Sequence, residues 1–94
     1  MADNQTTPTF LFGRTVATPH ALNAIPNDEI LDALARHGRG DWGNLDKEDW
    51  DANNRALIEG TRLLSSYESK QGIRFWIITE WNRSVTTILL PEDY

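Results

Sequence analysis

The stretch that decides the fold is TRLLSSYESKQGIRFWIITEWNRSVTTILLP, residues 61–91. Three segments within it alternate between apolar and polar residues, and KQG and NRS separate them, which is typical of short strands joined by turns. The middle segment is apolar on both faces, so we expect it to lie at the centre of a sheet. Asn82 suits the left-handed conformation that a tight turn needs. Residues 61–91 therefore predict a three-stranded antiparallel meander.

Working outward from this stretch, residues 19–60 have the spacing of helices. Pro19 can start a short helical turn, and Asn27 is a candidate N-cap for DEILDALARHG. A further helix begins at Asp46, where Asp46 and Asp49 resemble a capping box, and ends at Gly60. Residues 10–18 are a candidate N-terminal edge strand. The predicted fold is α+β, with two to three N-terminal helices packed on the meander.

We expect one domain over residues 1–94, with residues 1–9 as a flexible tail, 19–60 as the helical part and 61–91 as the meander. The chain has 14 acidic and 9 basic residues, a net charge of −5, and no cysteine. The absence of cysteine excludes disulfides and thiolate metal sites. The acidic balance argues against direct nucleic-acid binding and favours a partner with a basic surface.

Targeting and cofactor signals are absent from the sequence. No apolar run approaches the roughly 20 residues of a membrane span, and the N-terminus, MADNQTTPT, has no apolar segment of a secretory signal. We therefore expect a cytoplasmic protein without membrane contact. The spacing of His20 and His37 fits no common zinc motif, and no nucleotide-binding motif occurs, so we expect no metal and no cofactor. His37 is interpreted as a charged partner of a helix C-terminus.

The segment HGRGDWGNLDKEDWDANN, residues 37–54, places tryptophans among acids. Aromatic anchors surrounded by charge are typical of protein–protein contacts. The predicted binding residues are Asp41, Trp42, Asp46, Asp49, Trp50 and Asp51, with Trp81 as a second patch. The alternative is a joint between helices, in which the acids cap and solubilise the chain and Trp42 packs over the helix ends.

Catalysis has one candidate set, on the predicted meander: Arg74, Glu80 and Arg83, with Thr86 and Thr87 opposite. A metal-independent ribonuclease would use an acid–base carboxylate together with arginines for the phosphate. Arg74 and Glu80 lie about 20 Å apart along one strand, which is too far for a direct pair. The alternative is a charged rim on a small sheet.

Four segments resemble a group of small "plasmid-related" proteins encoded on bacterial plasmids and integrative elements. The segments are FGRTVATP (12–19), ARHGRGDWGNL (35–45), GTRLLSSYES (60–69) and WIITEWNRSVTTILLPEDY (76–94). The resemblance brings no catalytic residues with it. It implies a bacterial cytosol and an accessory gene of a mobile element. Trp81 and Asn82 depart from the alanine–aspartate pair expected in the last segment, which removes an acid from that turn.

These observations favour a non-enzymatic acidic binding protein that docks on a bacterial, phage or plasmid protein which handles nucleic acid. One such activity is inhibition of a defence system, either restriction or CRISPR. One alternative is a small ribonuclease-like toxin that uses Arg74, Glu80 and Arg83. Another is a structural homodimer joined through an open sheet edge, so the expected states are monomer or homodimer.

Overall fold

The computed structural model describes residues 8–94, which form an α+β fold, as predicted. Its strands are β1 (Arg14–Ala17), β2 (Leu63–Glu68), β3 (Arg74–Thr79) and β4 (Val85–Leu89). Its helices are α1 (Pro19–Ala24), α2 (Asn27–Gly38) and α3 (Lys47–Glu59), and a 3-10 turn follows β4 at Pro91–Asp93.

The sheet has four strands in the order β1-β4-β3-β2, so the predicted three-stranded antiparallel sheet is incomplete. Strands β2, β3 and β4 form the predicted antiparallel meander, and Thr79 pairs with Thr86 across β3 and β4. The candidate edge strand is present as β1, but it pairs with β4 in parallel, from Arg14 opposite Val85 to Ala17 opposite Ile88. The sheet is therefore mixed, with one parallel and two antiparallel pairings. The parallel pairing joins a strand near the N-terminal end of the chain to one near its C-terminal end.

The β3–β4 turn differs from its predicted form. Arg83, and not Asn82, has the positive φ, of 58°. Asn82 contributes through its side chain instead, whose Oδ1 accepts a hydrogen bond from the amide of Ser84 at 3.1 Å. The side chain thus bonds a backbone amide two residues on, and the next residue takes the left-handed conformation.

Helices α1 and α2 cover one face of the sheet and bury the main core. Thr18 caps α1 by accepting a hydrogen bond from the amide of Ala21, and Asp46 caps α3 through the amide of Asp49. The predicted cap at Asn27 is wrong, since α2 begins at Asn27 and Pro26 precedes it without a side-chain bond. The core residues are Ala21, Ile25, Ile30, Ala33, Tyr67, Phe75, Ile77, Ile88 and Leu90.

The outer edge of β2 is closed by the segment before α3 and by α3 itself. The amide of Asn44 donates to the carbonyl of Ser66, and the amide of Ser66 donates to the carbonyl of Trp42. The Asn53 side chain bonds both the amide and the carbonyl of Leu64. Two residues of β2 that face outward thus have partners for both backbone groups, which protects the edge from pairing with another chain.

The predicted flexible tail, residues 1–9, lies outside the described residues except for its last two. Thr9 is bound at the end of α2, since its amide and its hydroxyl both donate to the carbonyl of Gly38. Within residues 8–94, the helices are too short or too polar to cross a membrane.

Closure of the β2 edge requires a glycine at position 43, and this can be tested. Gly43 has a φ of 79°, and a Cβ there would lie 2.0 Å from the carbonyl oxygen of Ser66. Gly60 has a similar φ of 76° at the end of α3, but a Cβ there would meet nothing within 4 Å. We expect Gly60→Ala to cost about 1–2 kcal/mol of unfolding free energy, which is the cost of the left-handed conformation alone.

We expect Gly43→Ala to cost clearly more, because the segment must also move away from β2. Urea unfolding of both variants measures the difference. Equal losses would show that the close approach contributes nothing to stability.

Candidate functional site

A buried polar cluster centred on His37 lies between α2 and the sheet. The His37 ring bonds the hydroxyl of Ser65 on β2 through Nδ1 at 2.5 Å, and that of Thr79 on β3 through Nε2 at 2.9 Å. Thr79 in turn bonds Thr86 on β4 at 2.8 Å, and the Thr86 hydroxyl donates to the carbonyl of Phe12 at 2.7 Å. All four side chains are fully buried.

The hydrogen bonds that run from Nε2 of His37 to the carbonyl of Phe12 have only one consistent direction. A carbonyl can only accept, so the Thr86 hydroxyl gives its hydrogen to Phe12 and accepts one from Thr79. The Thr79 hydroxyl must then accept from Nε2 of His37. Nε2 therefore carries a hydrogen. Because burial keeps the ring neutral, Nδ1 carries none and accepts from Ser65. The hydrogen on Nε2 is thus assigned from the hydrogen-bond network, and the bare Nδ1 from the effect of burial on the pKa.

The surroundings of His37 oppose its protonation. Burial lowers the pKa of His37 from 6.5 to about 3, and the positive charge of Arg83 acts in the same direction. The rings of Phe10, Phe12 and Trp42 surround the imidazole, with centroids 5.3–5.9 Å away. His37 is thus not the charged helix-end partner that the sequence predicts. Ser65 and His37 have the groups of a nucleophile and its base, but a cluster without solvent exposure has no route to a substrate.

Two residues of the predicted binding surface serve the structure. The Trp42 side chain is fully buried, and its Nε1 donates to Oδ1 of Asn54 at 3.0 Å. We therefore remove Trp42 from the predicted surface, because its ring packs in a second core cluster with Ala56 and Leu63.

Asp41 also acts locally. Its carboxylate accepts hydrogen bonds from Arg36 and from the amide of Gly43. The bond from Arg36 is the main reason that the pKa of Asp41 lies below its usual range. This agrees with the alternative in which residues 41–42 form a joint between helices.

The remaining predicted acids lie on the first turns of α3. Asp46 and Asp49 are exposed, and Asp46 caps the helix. Asp51 pairs with Lys47, one turn earlier on the helix, at 2.7 Å. Trp50 is partly buried and packs against the second core cluster. These acids therefore share one end of a helix, but the neighbouring tryptophan is only partly available to a partner.

Trp81 lies apart from these acids, at the β3–β4 turn. Its side chain is 65% exposed, so it is the predicted aromatic contact that a partner can reach most fully.

The three residues of the predicted catalytic set are not brought together. The Arg83 guanidinium donates to the backbone carbonyls of Ala56 in the last turn of α3, of Thr61 just after that helix, and of Glu80 in the β3–β4 turn. Cations at the C-terminal end of a helix are stabilising. Among residues 8–94, no ion pair or hydrogen bond joins the carboxylate of Glu80 to Arg74 or Arg83. The threonines also separate, since Thr86 is buried in the His37 cluster while Thr87 is partly exposed.

An acidic groove of about 440 Å³ lies between α2 and the β2–β3 hairpin. Four of the side chains that line it are acidic, namely Asp28, Glu29, Asp32 and Glu68, and two are basic, Arg36 and Lys70. Arg36 is already occupied, because it pairs with Asp41 and lies 4.9 Å from the centre of the Tyr67 ring. The Lys70 amide donates to the Glu29 carboxylate. The groove thus holds more negative charge than its own cations balance.

The sequence contains part of the signal for this groove. Asp28, Asp32 and Arg36 repeat at intervals of four, so they share one face of α2. Glu68 joins them only through tertiary packing, which periodicity along the chain does not report.

In comparisons with known proteins, no family model, no curated protein and no solved structure matches this chain. Within the part of the chain that the structure describes, no group of three or more histidine, aspartate or glutamate side chains could hold a metal ion. The case for a function therefore rests on the surfaces described above.

The neutral state of His37 makes stability depend on pH. In the folded protein its pKa is about 3, and the ordinary value is 6.5. Between these values the unfolded chain binds one more proton, so acid favours unfolding. We expect the unfolding free energy to fall by about 2 kcal/mol from about pH 7.5 to about pH 5, at roughly 1.4 kcal/mol per unit below the ordinary pKa.

His37→Gln is the matched control for this prediction. A glutamine can donate to Thr79 and accept from Ser65 without titrating. Urea unfolding across this pH range should show the fall in the wild type and its loss in the variant. The same fall in both proteins would assign it to other groups.

Proposed function

We propose that the protein is a non-enzymatic binding protein whose acidic surface docks on a basic region of a partner protein. The observation that carries the proposal is the groove beside α2, where four carboxylates face two cations and one of those cations is paired elsewhere. Such a concave acidic surface attracts arginine and lysine side chains and excludes nucleic acid, whose phosphates it repels.

The base of the groove adds apolar surface to its charge. The rings of Tyr67 and Phe75 line it below the carboxylates, and Ala33 adds a small apolar side chain. An arginine that enters can place its planar head against the carboxylates and its aliphatic stem along the rings. A groove with this lining therefore fits an arginine-rich segment better than a compact cation.

The acids at the start of α3 offer a second surface for the same partner. Glu48 and Asp49 are exposed there, while Asp51 is neutralised in part by Lys47. The exposed Trp81 would act as an aromatic anchor for a separate contact. We rank the groove first because it is concave and its charges converge, whereas the α3 acids spread over a convex helix end.

The proposed partner is a bacterial, phage or plasmid protein that handles nucleic acid. Such proteins carry a basic surface for phosphate, and an acidic protein that occupies it competes with the nucleic acid. In the mobile-element setting that the sequence resemblance implies, this activity would inhibit a defence system of the host. Restriction and CRISPR enzymes are the candidate targets.

Two variants with equal loss of charge test which surface binds. One carries Asp28→Asn, Asp32→Asn and Glu68→Gln in the groove, and the other carries Glu48→Gln, Asp49→Asn and Asp51→Asn on α3. Tagged wild type and both variants are incubated with the same bacterial lysate, and the retained proteins are quantified by mass spectrometry. The affinity of the main partner is then measured with purified protein.

We expect the groove variant to bind its partner about tenfold more weakly, at roughly 0.5 kcal/mol for each carboxylate removed, and the α3 variant to bind nearly as well as the wild type. Because both variants lose three charges, net charge alone cannot produce this difference. The reverse result would move the site to α3. Equal binding by all three proteins would refute an acidic docking function.

A further inference from the structure

Among residues 8–94, strand β1 has no neighbour on its outer edge, in contrast to the covered edge of β2. The amides of Arg14 and Thr18 donate to carbonyls of Ser84 and Ile88, so residues 14, 16 and 18 point their backbone groups towards β4. The backbone groups of Thr15 and Ala17 therefore point away from the sheet. Among the described residues, no other segment supplies them with a hydrogen-bond partner. An unpaired row of this kind is a template for another strand.

We propose that this edge binds the same edge of a second copy of the chain, so that two sheets join into one of eight strands. The proposal is independent of the acidic docking function. An antiparallel pair of β1 strands about a two-fold axis is the arrangement that lets one strand satisfy an identical one.

The register of the pair follows from which residues face outward. Hydrogen-bonded pairs must form between residues that both point their backbone groups across the interface. With the two-fold axis at Val16, Thr15 of each copy lies opposite Ala17 of the other. Each of the two Thr15–Ala17 pairs then uses both of its amides and both of its carbonyls in two hydrogen bonds. Four hydrogen bonds therefore form across the interface. Val16 of one copy lies opposite Val16 of the other as a non-hydrogen-bonded pair.

The charge of this part of the chain favours a second copy as the occupant. Residues 8–27 contain no acidic residue, although the whole chain has a net charge of −5. Among the hydrogen bonds of residues 8–94, the carboxylate that contacts this segment belongs to Asp93. It binds the side chains of Thr18 and His20. Two copies that meet here therefore keep their acidic surfaces apart.

Exposed apolar side chains near β1 also support a contact with a second copy. Leu11 precedes the strand and is 76% exposed, and Leu22 follows it on α1 and is 54% exposed. Leu31 on α2 is also exposed and shares a shallow apolar groove with Pro8 and Phe12. Leu11 and Leu22 lie in the segment without acids, and exposed apolar side chains there suit a contact with another protein. The charge of the segment then makes a second copy the favoured occupant.

A single cysteine tests the register directly, since the natural chain has none. In a non-hydrogen-bonded pair the Cα atoms lie about 4.5 Å apart, within the roughly 4.4–6.8 Å that a disulfide spans. We expect Val16→Cys to form a covalent dimer under mild oxidation. Ile58→Cys, at an 87% exposed position on α3, is the control for random collision. Cross-linking at position 16 should be at least roughly tenfold faster.

A second variant tests the backbone bonds. Thr15→Pro removes an outward-facing amide and leaves the amides that bond β4 intact. Sedimentation velocity should show a concentration-dependent dimer in the wild type and a monomer in Thr15→Pro, with circular dichroism to confirm that the variant folds. Equal cross-linking rates at positions 16 and 58, or a wild type that stays monomeric at all concentrations, would overturn the proposal. A dimer that survives in folded Thr15→Pro would also overturn it.

Discussion

The buried imidazole of His37 is the constraint on which the arrangement of the elements depends. It lies on α2, bonds one hydroxyl on β2 and one on β3, and connects through Thr86 on β4 to the carbonyl of Phe12 before β1. With a neutral imidazole, each hydrogen in this series of bonds has one possible place. A shift of any one element would therefore leave a buried polar group without a partner, at a cost of about 1–3 kcal/mol. The network fixes how α2 sits on the sheet, which apolar packing alone would allow to vary.

That constraint has consequences at the surface. Because His37 holds the end of α2 against the sheet, the first turns of α2 lie beside the β2–β3 hairpin, and their acids face Glu68 across the groove. The same end of α2 receives Thr9, which directs residues 8–12 towards β1. The placement of α2 thus forms one wall of the acidic groove and fixes the start of the segment that leads into β1.

The sequence predicts the meander and its register well because both are local. Alternation along the strands and a short turn are enough to place Thr79 opposite Thr86. The parallel pairing of β1 with β4 is different, since it joins opposite ends of the chain, and all three helices and strands β2 and β3 lie between them. Such a contact leaves no periodic signal in either segment. The edge strand could be suspected from residues 10–18, but neither its neighbour nor its direction could be predicted.

Among the site residues, too, roles that depend on local spacing could be predicted and roles that depend on non-local packing could not. The capping role of Asp46 and its helical neighbours could be predicted from spacing, because a cap involves residues three or four apart. The burial of Trp42 could not be predicted, since an aromatic residue between an acid and a glycine has the composition of an exposed contact. It is buried because the chain at 42–44 adds to the edge of β2 and because Asn54 accepts from the indole. Burial of this kind depends on a non-local backbone pairing, which composition does not report.

The two edges of the sheet explain how docking and self-association could coexist. The edge at β2 is covered at Ser66 by backbone groups of residues 42–44 and at Leu64 by the Asn53 side chain, so a strand added there would have to displace these groups. The groove opens on the same half of the molecule, beside the β2–β3 hairpin, and β1 lies at the opposite end of the strand order. A dimer through β1 would therefore carry two acidic grooves at its far ends, and a partner with two basic sites, or a symmetric one, would bind it more tightly than the monomer.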